Sequence, residues 1–200
     1  HRKNAPNSTG WTLRVVPNKY PALTDKGGIE QETEGLYDKM NGIGTHEVVI
    51  ESPDHNTELE LLPQTQLVSS LEAFRERVLA LKQNNRFKHI LIFKNQGESA
   101  GASLEHTHTQ LIALPITPEV VSEEIARCKE HYEKEEHCIY CDLITQELKD
   151  KRRIVCQNEY FITVIPYAPR FPFEMWLLPR SHSARFEQCE ARHLDALASL

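Results

Sequence analysis

The sequence predicts an α+β fold, mainly an antiparallel sheet with helices packed across it. Three observations carry this expectation. Short apolar runs of strand length recur, joined by loops too short for parallel crossovers. One long segment, Pro63–Asn85, repeats apolar residues at helical spacing. One strand-like segment, His106–Gln110, alternates strictly with period two.

The elements follow in chain order. Residues 11–16 (WTLRVV) read as a strand leading into Pro17-Asn18-Lys19-Tyr20-Pro21. Residues 24–44 are polar and glycine-containing, have no clear period, and read as one long loop. Residues 46–52 (HEVVIES) form a second strand, ended by the turn signal Pro53-Asp54-His55. In Pro63–Asn85, Leu67, Leu71, Phe74, Val78 and Leu81 step by fours and threes and make one apolar stripe. Residues 88–94 (KHILIFK) are a buried strand, 95–102 a glycine-bearing loop, and 103–114 a further strand. A charged helix is expected over 118–134, then strands over 160–166 and 173–178.

EVVIESPDH (47–55) is echoed by EMWLLPRSH (174–182). The echo suggests two tandem repeats: residues 1–117 with the histidine strand, and 118–200 as the start of a second repeat that breaks off at Leu200. His1 in place of Met suggests the middle of a longer protein.

Composition excludes several functions. The net charge of −6 argues against a broad nucleic-acid surface. No apolar run approaches the ~20 residues of a membrane span. Five cysteines, two of them in a CxxC pair, fit a reducing compartment and point to the cytoplasm.

Chemistry concentrates in 101–110. With a side-chain period of two, His106, His108 and Gln110 share one strand face. The bland alternative is a polar edge strand with satisfied histidines. The preceding loop, Asn95 to Ser103 with Gly97 and Gly101, shifts the balance. Its small residues and free N–H groups let an anion approach the backbone. Imidazole, with a pKa near ~6.5, is largely an unprotonated nucleophile at neutral pH, so a histidine beside such a loop can attack phosphorus.

Cys138-x-x-Cys141 admits a redox, a zinc or an empty reduced reading. For zinc, His182 is a third ligand, and the fourth is His137 or lies beyond Leu200. His55 and His106 would supply two of four ligands of another zinc site, the other pair lying before His1. Asn18 and Lys19 are either turn formers or contacts to a ribose or phosphate. His46, His89, His131 and His193 show no partner in the sequence and read as structural or exposed.

RVVPNKYPAL (14–23), HEVVIESPDH (46–55), FKNQGESAGASLEHTHTQ (93–110), HCIYC (137–141) and FPFEMWLLPRSH (171–182) together resemble the galactose-1-phosphate uridylyltransferase family. That family, a branch of the histidine-triad superfamily, includes relatives resembling ADP-glucose phosphorylase. The resemblance implies a histidine-triad-like fold and a nucleotidyltransferase acting on a nucleoside diphosphate sugar and a sugar 1-phosphate. It implies His108 as nucleophile of a covalent nucleotidyl intermediate, with Gln110, Asn95, Ser103 and the loop at Gly101 on the phosphates. Asn18 would contact the nucleotide. His55 and His106 match ligands of a structural zinc, and Cys138, Cys141 and His182 those of a second. A homodimer is also implied. Thr107 stands where the usual motif has proline, a variation found in relatives that include ADP-glucose enzymes. The competing readings are an ADP-glucose phosphorylase, a nucleotide hydrolase, and a zinc-braced interaction module without catalysis.

Overall fold

The computed structural model describes residues 9–102 and 104–200. The chain divides into two compact units, one through Thr117 and one from Pro118. Each is α+β with antiparallel sheet pairing.

In the first unit, β1 (Arg14–Pro17), β4 (Thr45–Ile50), β6 (His108–Leu114) and β5 (His89–Phe93) form a four-stranded sheet in the order β1-β4-β6-β5. Helix α1 (Gln64–Leu81) follows β4 and buries Ser70, Val78 and Leu81. It packs on one face of the sheet. Arg77 of α1 makes a two-pronged ion pair with Glu47 of β4, at 2.7 and 2.6 Å. The Gln66 amide donates to the Glu51 carbonyl at 2.6 Å. The burial of β6 alternates accordingly: Thr109, Leu111 and Ala113 are buried, while His108, Gln110 and Ile112 are half-buried. The register Val48↔Gln110 and Ile50↔His108 fixes which β4 side chains share each face.

Two expectations change here. Residues 24–44 are not one loop. They contain a hairpin of β2 (Gln31–Glu34) and β3 (Tyr37–Met40). Its cross-strand pairs are polar, Thr33 to Asp38 at 2.7 Å and Lys39 to Glu34 at 3.0 Å, so no apolar alternation marks it. The histidine strand also begins at His108, not at 103. Pairing with β4 ends at Ile50↔His108, because β4 gives way at Glu51-Ser52 to the Pro53 turn. His106 therefore precedes the strand, and Ser103 lies outside the described residues.

In the second unit, helix α2 (Glu119–Glu135) is followed by helix α3 (Ile139–Asp150), an element absent from the sequence expectations. Strands β7 (Ile154–Gln157), β8 (Phe161–Val164) and β9 (Trp176–Pro179) make a three-stranded sheet in that order. Ile144, Ile162 and Val164 are its buried centre. Helix α4 (Ala191–Ala198) closes the described chain, its first turn held by a reciprocal Glu190–His193 cap.

Candidate active site

The two faces of β6 are built differently. On the helix-facing side, Thr107 and Thr109 donate their hydroxyls to the Glu51 carboxylate, Thr107 at 2.6 Å. Lys94 Nζ reaches the same carboxylate at 2.8 Å, Thr107 Oγ1 at 2.8 Å and the His108 carbonyl at 3.0 Å. The Glu51 side chain is fully buried, at 0% exposure. A buried carboxylate is tolerated only when paired and hydrogen-bonded, and both oxygens of this one are. Glu51 and Lys94 thus clamp the backbone on either side of His108. Sequence reasoning passed over both, since a Glu ending one strand and a Lys ending another look like solvated edges.

On the open face, the Nδ1–H of His108 donates to the His106 carbonyl at 2.8 Å. A carbonyl can only accept, so in the neutral ring the lone pair sits on Nε2. His106 donates through Nε2 to the Ser52 carbonyl at 2.6 Å, which leaves its Nδ1 free to accept or ligate. The His55 ring lies 4.2 Å from the His106 ring, centroid to centroid. Histidine ligands commonly anchor one nitrogen on a carbonyl in this way. Asp54, beside His55, has its carboxyl held below the usual range by the Asn56 N–H and the Thr57 hydroxyl.

His55, Asn95, Gly97, His106 and His108 line a single cavity of about 380 Å³. The glycine loop forms its edge. Gly97 and Gly101 have φ of +78° and +82°, a region where side chains are strained, and Gly101 packs beside the Asn95 amide.

Gln110 continues the open face. Its Oε1 lies 2.8 Å from His46 Nε2, and the Asn18 amide nitrogen lies 3.0 Å from that same nitrogen. His46, read from sequence as structural or exposed, therefore joins two predicted site residues. No sequence signal marks this, because the pairing spans 64 residues.

In the second unit, ligand atoms of Cys138, Cys141 and His182 all lie within 4.8 Å of one another. Cys141 Sγ is 3.4 Å from His182 Nδ1. Cys138 caps α3 and Cys141 sits in its first turn, which brings both thiols to one helix end. Burial pushes the Cys141 thiol up, and the neighbouring Cys138 adds to this. Two thiols and an imidazole at this spacing suit three corners of a tetrahedral zinc. They line a cavity of about 1040 Å³ with Trp176 and Glu174. Arg170 holds the Glu174 carboxyl down to about 2.

Residues 4–118 match the model for the galactose-1-phosphate uridyl transferase N-terminal domain, and residues 124–200 that for its C-terminal domain. The chain is 37% identical over 188 residues to an ADP-glucose phosphorylase of Arabidopsis thaliana, covering 92% of this chain and 50% of that protein. It is 32% identical over 173 residues to a galactose-1-phosphate uridylyltransferase of Thermotoga maritima, covering 86% and 54%. The chain spans about half the length of the curated relatives it matches. Among solved structures, a uridylyltransferase superposes with a TM-score of 0.86 at 31% identity, covering 95% of this chain and 60% of that one. The Arabidopsis ADP-glucose phosphorylase with bound ADP-glucose superposes with a TM-score of 0.83 at 32% identity, covering 96% and 59%. The chain belongs to the galactose-1-phosphate uridylyltransferase family.

Proposed function

We propose that the first unit carries out nucleotidyl transfer through His108. The observation that supports this most is the His108 Nδ1–H anchored on the His106 carbonyl, which leaves Nε2 unprotonated beside the glycine loop. Nε2 attacks the α-phosphorus of a nucleoside diphosphate sugar. An N–P bond forms, the P–O bond to the β-phosphate breaks, and sugar 1-phosphate leaves with that electron pair. A phosphate oxygen of a second sugar 1-phosphate then attacks the same phosphorus and frees the imidazole. The Gln110 amide, the Asn95 amide and loop N–H groups donate to the phosphate oxygens as charge redistributes. Ser103 and the loop at Gly101 would add donors to the phosphate oxygens, and Asn18 would contact the nucleotide.

The substrate pair is UDP-glucose with galactose 1-phosphate. A second reading, ADP-glucose with inorganic phosphate as acceptor, is favoured by the 37% identity to the Arabidopsis phosphorylase. Zinc would be held by His55 and His106 with further ligands, and by Cys138, Cys141 and His182. Bound there, it would brace the chain and take no part in the transfer. The active form is a homodimer in the cytoplasm, where thiols stay reduced; no helix among the described residues is long and apolar enough to cross a membrane.

The test incubates the full chain with each donor–acceptor pair and follows sugar 1-phosphate release. Release that depends on the acceptor supports transfer and identifies the base. Rapid liberation of free nucleotide without acceptor supports a hydrolase instead. No turnover of either donor contradicts the proposal. Elemental analysis, repeated after Cys138→Ser, reads the zinc content independently.

A further inference from the structure

The open face holds a polar cluster around His46 whose contacts favour one set of hydrogen positions over the other. The Ala22 backbone N–H points at His46 Nδ1, 3.2 Å away. A backbone N–H can only donate, so Nδ1 carries the lone pair and Nε2 carries the hydrogen. That Nε2–H then meets Gln110 Oε1 at 2.8 Å. The opposite amide orientation would place NH2 against N–H, donor against donor. The Gln110 oxygen is thereby held toward His46, and its NH2 is turned away from it. Asn18 is fixed similarly: its Oδ1 accepts from the Tyr20 N–H at 2.9 Å, so its NH2 faces the His46 ring at 3.0 Å. That amide meets the Nε2–H as donor against donor, the one unfavourable contact of this tautomer; with Gln110 Oε1 where it stands, the opposite tautomer has two, at the Ala22 N–H and at Gln110 Oε1.

The register explains why this cluster sits beside His108. His46 and Val48 lie on the same β4 face as Ile50, and Ile50 stands opposite His108. Gln110 is two residues from His108 on that face, so the two side chains are neighbours along the strand. A surface of outward amide donors takes an oxygen-rich acceptor, the chemistry of a phosphate or a nucleobase carbonyl. It rejects another donor by the cost of an unpaired buried group.

We infer that His46 is a positioning residue for nucleotidyl transfer: its Nε2–H holds Gln110 Oε1, and so presents the Gln110 NH2 as a donor to the nucleotide phosphate in front of His108. This deepens the reading of His108 chemistry and rests on it. His46 itself touches neither the phosphorus nor the leaving group. It acts through the orientation of one amide.

The test has two arms on the full chain. In the first, a long-range proton–nitrogen spectrum of the imidazoles reads the His46 tautomer with no substrate present. The inference requires a protonated Nε2 and a bare Nδ1; the opposite tautomer overturns it, even in a protein that turns over normally. In the second, the rate of nucleotidyl adduct formation is measured for His46→Phe, Gln110→Ala and the double variant. His46→Phe is expected to slow the step by about tenfold or more, the scale at which orienting partners act. In the Gln110→Ala background the same change is expected to do nothing further, because its target is gone. His46→Gln, which keeps an acceptor for Ala22 and a donor for Gln110, is expected to restore most of the rate. Effects that multiply in the double variant would show that His46 acts otherwise, and would overturn the inference. A wild-type protein that forms no adduct would contradict the nucleotidyl-transfer reading, while the tautomer arm still decides on His46.

Discussion

The two faces of β6 solve opposite problems with neighbouring residues. The face toward α1 buries a carboxylate, with a largely withdrawn ammonium beside it, and satisfies them through Thr107, Thr109 and the His108 carbonyl. The open face leaves acceptors and donors unspent: a bare nitrogen on His108 and an amide on Gln110. The sealed face makes the open one usable, since an imidazole can be aimed at phosphorus only if its backbone does not shift. Under the proposed transfer, stability belongs to the odd-numbered residues of this strand and chemistry to the even-numbered ones.

This division can be broken most sharply at His108. His108→Ala is expected to cut turnover by on the order of 10⁴-fold or more, while the unfolding free energy from urea titration stays within about 0.5 kcal/mol of the parent. A large loss of stability would mean that the open face is also structural. Next comes Glu51. Glu51→Ala removes the counter-charge of the Lys94 ammonium, which is 17% exposed, and is expected to cost about 3 kcal/mol in denaturant unfolding. Replacing both charges, as Glu51→Leu with Lys94→Met, is expected to recover much of that loss, because no buried charge is left unpaired.

A finer contrast sets adjacent residues against each other. Thr109→Val removes a hydroxyl that donates to a buried carboxylate and is expected to cost about 1.5–3 kcal/mol. Gln110→Ala, one residue on, should leave stability nearly unchanged and lower the transfer rate instead. Equal stability effects at 109 and 110 would erase the distinction between the faces. The smallest effect is expected at Gly101, where φ is +82°. Gly101→Ala should cost about 1–2 kcal/mol of local strain, read as weaker binding of UMP by calorimetry more than as global unfolding.

How much of this was legible in the sequence depends on how local each signal is. The period-two alternation in HTHTQ and the apolar stripe of α1 are properties of single segments; the helix formed where it was expected, and the half-buried strand formed from His108 onward. The hairpin Gln31–Met40 escaped because polar cross-strand pairs carry no hydrophobic period. Helix α3 is marked only by Leu143, Ile144 and Leu148 behind the CxxC pair, a helical spacing too short to stand out among charged neighbours. His46 and Glu51 escaped for another reason. Their roles exist only once β4 lies beside β6, a pairing that no local pattern announces. His55 and His106, read together from the sequence as ligands of one zinc, do lie side by side, with ring centroids 4.2 Å apart.

The most direct measurement of the central claim is peptide mapping of the protein after it has reacted with UDP-glucose or ADP-glucose and been quenched without acceptor. The account predicts one acid-labile nucleoside monophosphate per chain, on the peptide containing residues 101–114 and bonded to His108. A nucleotidyl group on any other residue, or none on a protein that turns over normally, would contradict it.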